Sequence, residues 1–397
     1  MSVITPDAGW CWFGDPRALY HNGFLYYGWV DTAGHIWVAQ VDTATWTRRR
    51  TLISPDTTVD DHNNPSLVIR GDRVCVFWCG HNGGTMRYRV AVNTDSIEEF
   101  RPVTVCAAGN TPGNVGFTYP NPVQMAHGNA LYLFWRGGNH QPTYSRSTSV
   151  TLNRWPPARH LFAAGTGVRP YVKVAADGQA RIHFLLTDGH PHDVATSVYY
   201  VRWHLDDGTF RTASGRVIGD ADHLPIPVAN LERLYDGSRN PRAWVWELQL
   251  APDGRPHAVF AVLHARERHD YWAARWNGTS WQVTRVCDAG GTIAQNNERF
   301  YSGGIALDPL NLDMVALSRP GSPQGLHRIE GWTTHDHGGT WERYATITDG
   351  SSQAVRPFYV RGAPAGMNWR LLWLQGTYNE FSRYYRLMLV GAEPPGP

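Results

Sequence analysis

The feature that most constrains this chain is a unit of about 57 residues that recurs seven times along it. Each unit reads as a Pro- or Gly-led strand, a turn, a very apolar strand, a polar loop, an alternating strand, a tight turn and a last strand. The first copy is "DPRALYHNG", "FLYYGWV", "HIWVAQVD", "WTRRRTLI". The second is "NPSLVIRGD", "RVCVFWCG", "MRYRVAVN", "FRPVTVC". Later copies begin at "NPVQMAHGN", "RPYVKVAADG", "WVWELQLAPDG", "SGGIALDPLN" and "RPFYVRGAP". Seven units of four strands predict an all-β fold, a seven-bladed β-propeller. No helical period competes with this pattern. The last unit stops one strand short, so the N-terminal "SVITP" is expected to close the ring and remove an open sheet edge. Residues 1–397 are read as one propeller domain, with 391–397 as a frayed tail.

The turn before the fourth strand carries its own signature. "THDHGGTW", residues 334–341, matches the Asp-box pattern Ser/Thr-x-Asp-x-Gly-x-Thr-Trp, and "VDTATW", "LDDGTF" and "WNGTSW" are degenerate copies. Asp and Gly suit tight hairpins and the Trp packs between sheets, so Asp336 is read as a turn former.

Composition narrows the partners. A net charge of +2 sets up no field that would favour nucleic acid. No run approaches the roughly 20 apolar residues of a membrane span, and no basic start followed by an apolar stretch marks a signal peptide. Location is left open among cytoplasm, virion and a secreted protein whose leader has been removed. The five cysteines are odd in number and lack metal spacing, and are read as buried small hydrophobes. No organic cofactor and no membrane partner is expected, and the chain is expected to act as a monomer.

Propeller topology sorts the polar loops. Strands run up and down, so the loop leading into a blade and the loop between its second and third strands open on one face, near the channel mouth. His62 precedes "PSLVIRG" and His81 follows "RVCVFWCG", so the two should share that face. The same face collects Arg17, Tyr119, Arg169, Tyr171 and Tyr301 from lead-in loops. Arg136, His140, His190, His192, His264 and Arg319 join them from second-to-third loops. A funnel of cations and aromatics without a carboxylate pair suits an anionic sugar better than ordinary glycoside hydrolysis. Residues 211–242 form a long connection between the fourth and fifth units. Its apolar positions and its Arg233, Arg239 and Arg242 predict an ordered segment walling one side of the pocket, with an arginine reaching the sugar.

The stretches "GWCWFGDPRAL", "DDHNNPSL", "TDGHP" and "YSGGIALDP" together resemble the BNR-repeat family that contains ulvan lyases and rhamnose–glucuronate lyases. The likeness runs from about residue 9 to about residue 362. It implies catalytic residues at His62, His81, Tyr119 and Arg136. It also implies a structural zinc site on His140, His190 and His192, but Tyr200 stands where the family has a further histidine; a zinc or calcium ion would take Tyr200, His204 or water as its fourth ligand, and a hydrogen-bonded histidine cluster is the alternative. Arg17, Arg169, Tyr171, His264, Arg319 and Tyr301 are expected to bind substrate. The implied partner is a uronic-acid-containing polysaccharide or oligosaccharide, such as ulvan. The implied reaction is β-elimination at a rhamnose–glucuronate linkage, giving an unsaturated uronate. In it Arg136 neutralises the carboxylate, while His81 and Tyr119 share the base and acid roles in an order the sequence leaves open. Two other functions fit the same residues. One is an exo-α-L-rhamnosidase on that linkage. The other is a non-catalytic carbohydrate-binding propeller such as a phage or surface adhesin.

Overall fold

The second strand of each unit is apolar at nearly every position, which a strand tolerates only when both of its faces are covered. Leu131–Arg136 is buried throughout and Arg73–Trp78 at all but its first residue. The fourth strand Arg48–Ser54 is exposed along its basic half, as expected of an outer edge. The structure, a computed structural model, describes residues 1–392 except 56, 166, 323, 324 and 385. No α-helix occurs among the described residues; only short 3-10 turns interrupt the strands.

Seven antiparallel sheets follow one another along the chain and make a seven-bladed β-propeller. In the first blade Ala18–His21, Phe24–Val30, Ile36–Asp42 and Arg48–Ser54 pair in order. The second blade is Ser66–Arg70, Arg73–Trp78, Arg87–Val90 and Thr104–Val105. The third is Thr118–Gln124, Leu131–Arg136, Pro142–Ser147 and Arg159–His160. The seventh blade takes Ala354–Tyr359, Leu371–Gln375 and Met388–Gly391 from the end of the chain and Ser2–Thr5 from its start. Ser2 pairs with Gly391 and Val3 with Val390, so the N-terminal strand supplies the missing edge. Gly391 is part of that last strand, and residues 393–397 of the expected tail lie outside the described residues.

By contact density the chain divides into two compact units. One comprises residues 1–160, 359–374 and 381–397; the other comprises residues 161–358 and 375–380. In the first, Cys75, Phe77 and Cys79 project from one side of a strand into a core with Cys106, Trp135 and Trp155. All five cysteines are buried and none forms a disulfide. In the second unit, residues 211–242 are ordered. They add strands to their own blade rather than standing as a separate wall. Val217–Asp220 pairs with Thr209–Arg211, and Glu232–Tyr235 pairs with Val198–His204. The apolar anchors Ile226, Val228 and Leu231 are buried, which explains the order. Arg233 and Arg239 both lean on Asp236, and Arg242 donates to the Pro191 carbonyl and covers the Phe300 ring.

In the turn 334–341, Asp336 accepts from the Thr334 hydroxyl and from the Thr340 amide and hydroxyl, each at 2.8 Å. These bonds hold its carboxyl well below the usual carboxylate range.

Candidate active site

The segment "DDHNNP" has a separate task for nearly every residue. Asp60 caps the short 3-10 turn Asp61–Asn63, its carboxylate accepting the His62 amide at 2.9 Å. Asn63 accepts the His81 backbone amide at 2.7 Å and donates to the Thr58 carbonyl at 2.8 Å. Asn64 accepts the Cys11 amide at 2.9 Å and donates to the Gly14 carbonyl. The loop before the second blade is thereby tied to the chain's opening stretch and to the loop that carries His81.

His62 and His81 meet. Their rings stack face to face with centroids 4.1 Å apart and planes 2° from parallel. One carboxylate spans them: Asp60 Oδ1 lies 2.7 Å from His62 Nδ1 and Asp60 Oδ2 lies 3.0 Å from His81 Nδ1. His62 Nδ1 also lies 3.0 Å from Asp61 Oδ1. The Phe381 ring stands perpendicular to both, with centroids 5.1 and 5.8 Å away. Burial works against charge on His62, but the Asp60 carboxylate and the hydrogen bonds to Asp60 and Asp61 outweigh it. The result lies well above the usual imidazole range. Burial and the adjacent His62 cation instead push His81 down, with Asp60 opposing. Asp60 itself is held low: burial is overcome by the two histidines it contacts.

Tyr119 and Arg136 lie beside this pair. The Tyr119 ring is 5.3 Å from His62, and the Arg136 guanidinium carbon sits 4.9 Å over the Tyr119 ring. Thr118 pairs with Arg136 across the strands, and the register slips between Thr118 and Asn121, the mark of a bulge. Within that slip Tyr119 has φ +60°, a left-handed conformation that is costly for an aromatic residue and disfavoured before proline. The strain is held by side chains. Asn121 Nδ2 donates to the Tyr119 carbonyl at 2.9 Å and to the Phe13 carbonyl at 2.8 Å, and Ser66 donates to the Pro120 carbonyl at 2.6 Å. The bulge re-aims Tyr119 out of the alternation its strand would impose. The His81 loop joins the same strand through the Gly83–Phe117 bridge and through the Asn82 amide, which donates to Thr118 Oγ1 at 3.0 Å.

The other sequence-predicted positions are placed differently. Arg17 is buried, 3.0 Å from Asp15, with its guanidinium over Trp10. In the second unit Arg169 pairs with Asp193 at 2.6 Å. Tyr171 is buried against His190 and Trp244, and Tyr301 is buried 5.6 Å from Trp244. His264 lies 2.9 Å from Asp270, which also pairs with Arg285. Arg319 donates to the Asp288 carbonyl at 2.9 Å.

Of the residues expected to hold an ion, His140 ends a 3-10 turn in the first unit, while His190 and His192 belong to the second. His190 Nδ1 accepts the His192 amide at 3.0 Å, and Tyr200 is committed to His183 at 2.7 Å. Among the described residues, two groups bring three possible metal ligands together: Cys11–Asp61–His62 and Asp60–His62–His81. An ion bound by an imidazole lies near the ring plane. The two parallel planes of His62 and His81 do not intersect, so their geometry suits the bridging carboxylate and not a shared ion.

Three residues of the cluster were not singled out by sequence reasoning: Asp60, Asp61 and Phe381. The acidic doublet ahead of His62 is the signal that points to the first two. Phe381 carries no such signal, because it arrives from the far end of the chain. A cavity of ≈ 690 Å³ in the second unit is lined by Arg255, His257, Arg275, Asp313 and His337 among others. It shares no residue with the histidine cluster, and its arginines are already paired with Asp253 and Asp313.

Seven antiparallel blades, six of four strands and one of six, with two loop histidines gathered beside a strand-borne tyrosine and arginine, define a repeat-built β-propeller. The chain belongs to the BNR repeat-containing family, whose sequence profile matches residues 24–289. No curated protein sequence matches it. Among solved structures it is similar to an ulvan lyase of polysaccharide lyase family PL25 bound to -[GlcA(1-4)Rha3S]-. The two are 14% identical with a TM-score of 0.74, over 99% of this chain and 96% of that one. A second structure of a PL25 ulvan lyase aligns at 13% identity and a TM-score of 0.72, over 98% of this chain and 94% of that one. At these identities the likeness is one of fold.

Proposed function

We propose that the protein is a polysaccharide lyase that breaks the bond to O4 of a uronic acid in a rhamnose–glucuronate polymer by β-elimination. The observation that carries this reading is the stacked imidazole pair, bridged by one carboxylate and set beside a tyrosine and an arginine. The C5 proton of a uronate is weakly acidic, so elimination needs positive charge at the carboxylate, a base at C5 and an acid at O4. Arg136 is permanently charged and His62 is held charged, and these two meet the carboxylate. Neutral His81, its Nδ1 committed to Asp60, takes the C5 proton at Nε2. The C5–H electron pair becomes the C4=C5 double bond, the C4–O4 bond breaks, and Tyr119 gives its hydroxyl proton to the departing oxygen.

The substrate class is supported by the oligosaccharide bound in the PL25 structure of the same fold. Hydrolysis, including rhamnosidase action, would need two carboxyl groups flanking the scissile bond. The carboxylates nearest the cluster, Asp60 and Asp61, are spent on His62 and His81. The test is incubation with ulvan and other uronate polysaccharides while following ultraviolet absorbance and reducing ends together. Both should rise. Reducing ends without absorbance would indicate a hydrolase, and neither signal would indicate a binding protein. An ion on His140, His190 and His192 is a separate proposal. It requires His190 to release the His192 amide or to ligate through Nε2, and elemental analysis of protein purified without added metal tests it.

A further inference from the structure

We propose that Asp60 is the positioning residue that bridges the stacked imidazoles and supplies their shared countercharge, so that Asp61 on one side and Arg136 on the other can settle the single positive charge on His62 and leave His81 as the base. Its kinetic consequence rests on the lyase reading; its effect on the two rings does not.

An N-cap needs one carboxylate oxygen, and Asp60 Oδ1 provides it to the His62 amide. The reach of Oδ2 to His81, 3.0 Å away on another loop, is not part of capping. Two imidazolium rings stacked at 4.1 Å would repel strongly, so the pair holds one positive charge. Which ring holds it is decided by the groups around them. His62 Nδ1 meets two carboxylates, Asp60 at 2.7 Å and Asp61 at 3.0 Å, whereas among the described residues His81 Nδ1 meets Asp60 alone. Arg136 adds positive charge on the His81 side, and Cys11 stands beside His62. Tyr119 and Phe381 present rings, and the Tyr384 phenol near Asp61 and Asp60 is pushed up by burial and by their charge. The His81 side chain is also the more open of the two, 26% exposed against 6% for His62, as a group that must reach substrate requires. Asp60 thus sets the tautomer of His81 through Nδ1 and turns the Nε2 atoms of both rings away from itself. The His81 loop does not depend on Asp60 for its place, because Asn63 holds the His81 amide.

The experiment follows the histidine Cε1–H signals by NMR against pH in the whole protein, without substrate, for wild type, Asp60→Asn, Asp60→Glu and His62→Gln. In wild type one of the two rings should titrate above the ordinary imidazole range and the other below it. Asp60→Asn keeps the cap acceptor but offers an N–H where a carboxylate oxygen stood, so the high signal should fall into or below the ordinary range. Asp60→Glu should retain it in part. His62→Gln removes the neighbouring cation, so the His81 signal should move up. On a cleaved uronate polymer, Asp60→Asn should lower kcat roughly a hundredfold and bring the alkaline limb of the rate profile down, with Asp60→Glu recovering part. Unchanged signals in Asp60→Asn, or a His81 signal unmoved in His62→Gln, would overturn the assignment. If the signals move as expected but wild type cleaves no uronate polymer, the lyase reading fails and the role of Asp60 stands.

Discussion

A histidine ring has the same intrinsic proton affinity wherever it stands, so the difference between His62 and His81 is made by their neighbours. That difference gives a signed pH prediction. His81 must be neutral to accept a proton, and its pKa is lowered, so activity should rise through an acidic limb below the ordinary histidine range. His62 must be charged, and its pKa is raised, so activity should persist above neutrality and fall only when that ring deprotonates. A kcat/KM profile on a uronate polymer checks both limbs, and an acidic limb above the ordinary histidine range would contradict the assignment. The same ion pair has a stability window. Asp60 is lowered, so its contribution is present above the ordinary carboxylate range and lost as pH falls through its depressed pKa. His62 is raised, so its contribution is present below the ordinary imidazole range and lost as pH rises through its elevated pKa. Substitution separates chemistry from packing. His81→Ala and Tyr119→Phe should each cost roughly a hundredfold or more in kcat with an unchanged far-ultraviolet spectrum. Near-normal turnover in either would remove that residue from the mechanism.

At the scale of elements, the site is built where regular strands are interrupted. Pro120 lacks an amide donor, and the register slip between Thr118 and Asn121 accommodates it while setting the Tyr119 ring beside His62. The loop of His81 is zipped to the same strand by the Gly83–Phe117 bridge. Gly116 lies beside that bridge, and a Cβ there would meet the Gly83 carbonyl oxygen at 2.1 Å and the Asn82 carbonyl oxygen at 2.3 Å. Gly116→Ala should therefore push the two segments apart, lowering activity at least tenfold together with the melting temperature, since a small misplacement of reacting groups is costly. Activity and melting both unchanged would show that the bridge does not hold the site. The turn at residues 334–341 behaves differently. Asp336 spends its carboxylate within its own hairpin, so Asp336→Ala should lower the melting temperature and leave turnover unchanged.

At the scale of the whole molecule, a propeller must close, because an open blade presents unpaired backbone groups to solvent. Here Ser2–Thr5 pairs with Met388–Gly391 and completes the seventh blade with chain from the opposite end. Deleting residues 1–5 should lower the melting temperature by several degrees and promote concentration-dependent association through the exposed edge. Thermal unfolding and light scattering at two protein concentrations measure this, and a deletion variant indistinguishable from the full chain in both would show that closure comes from elsewhere.

The blades themselves were legible in the sequence because strand, turn and apolar run recur at a fixed spacing, and a strand covered on both faces has to be apolar throughout. The strand missing from the seventh repeat and present at the N-terminus was legible for the same reason, as a count that did not close. The loop positions of His62 and His81 followed from topology. Their contact did not, since strand order says which loops share a face and nothing about how side chains turn within them. Asp60 as the bridge to His81, Phe381 beside both rings and the left-handed backbone of Tyr119, held from Phe13 and Ser66, depend on distances between segments far apart in the chain. Residues 211–242 show the same boundary. Their apolar content foretold order, while the choice to extend their own blade was made by the open edge of the strand beside them. Periodicity is local and survives in one dimension; a proton's place on one of two stacked rings is set by charges that only the folded chain brings together.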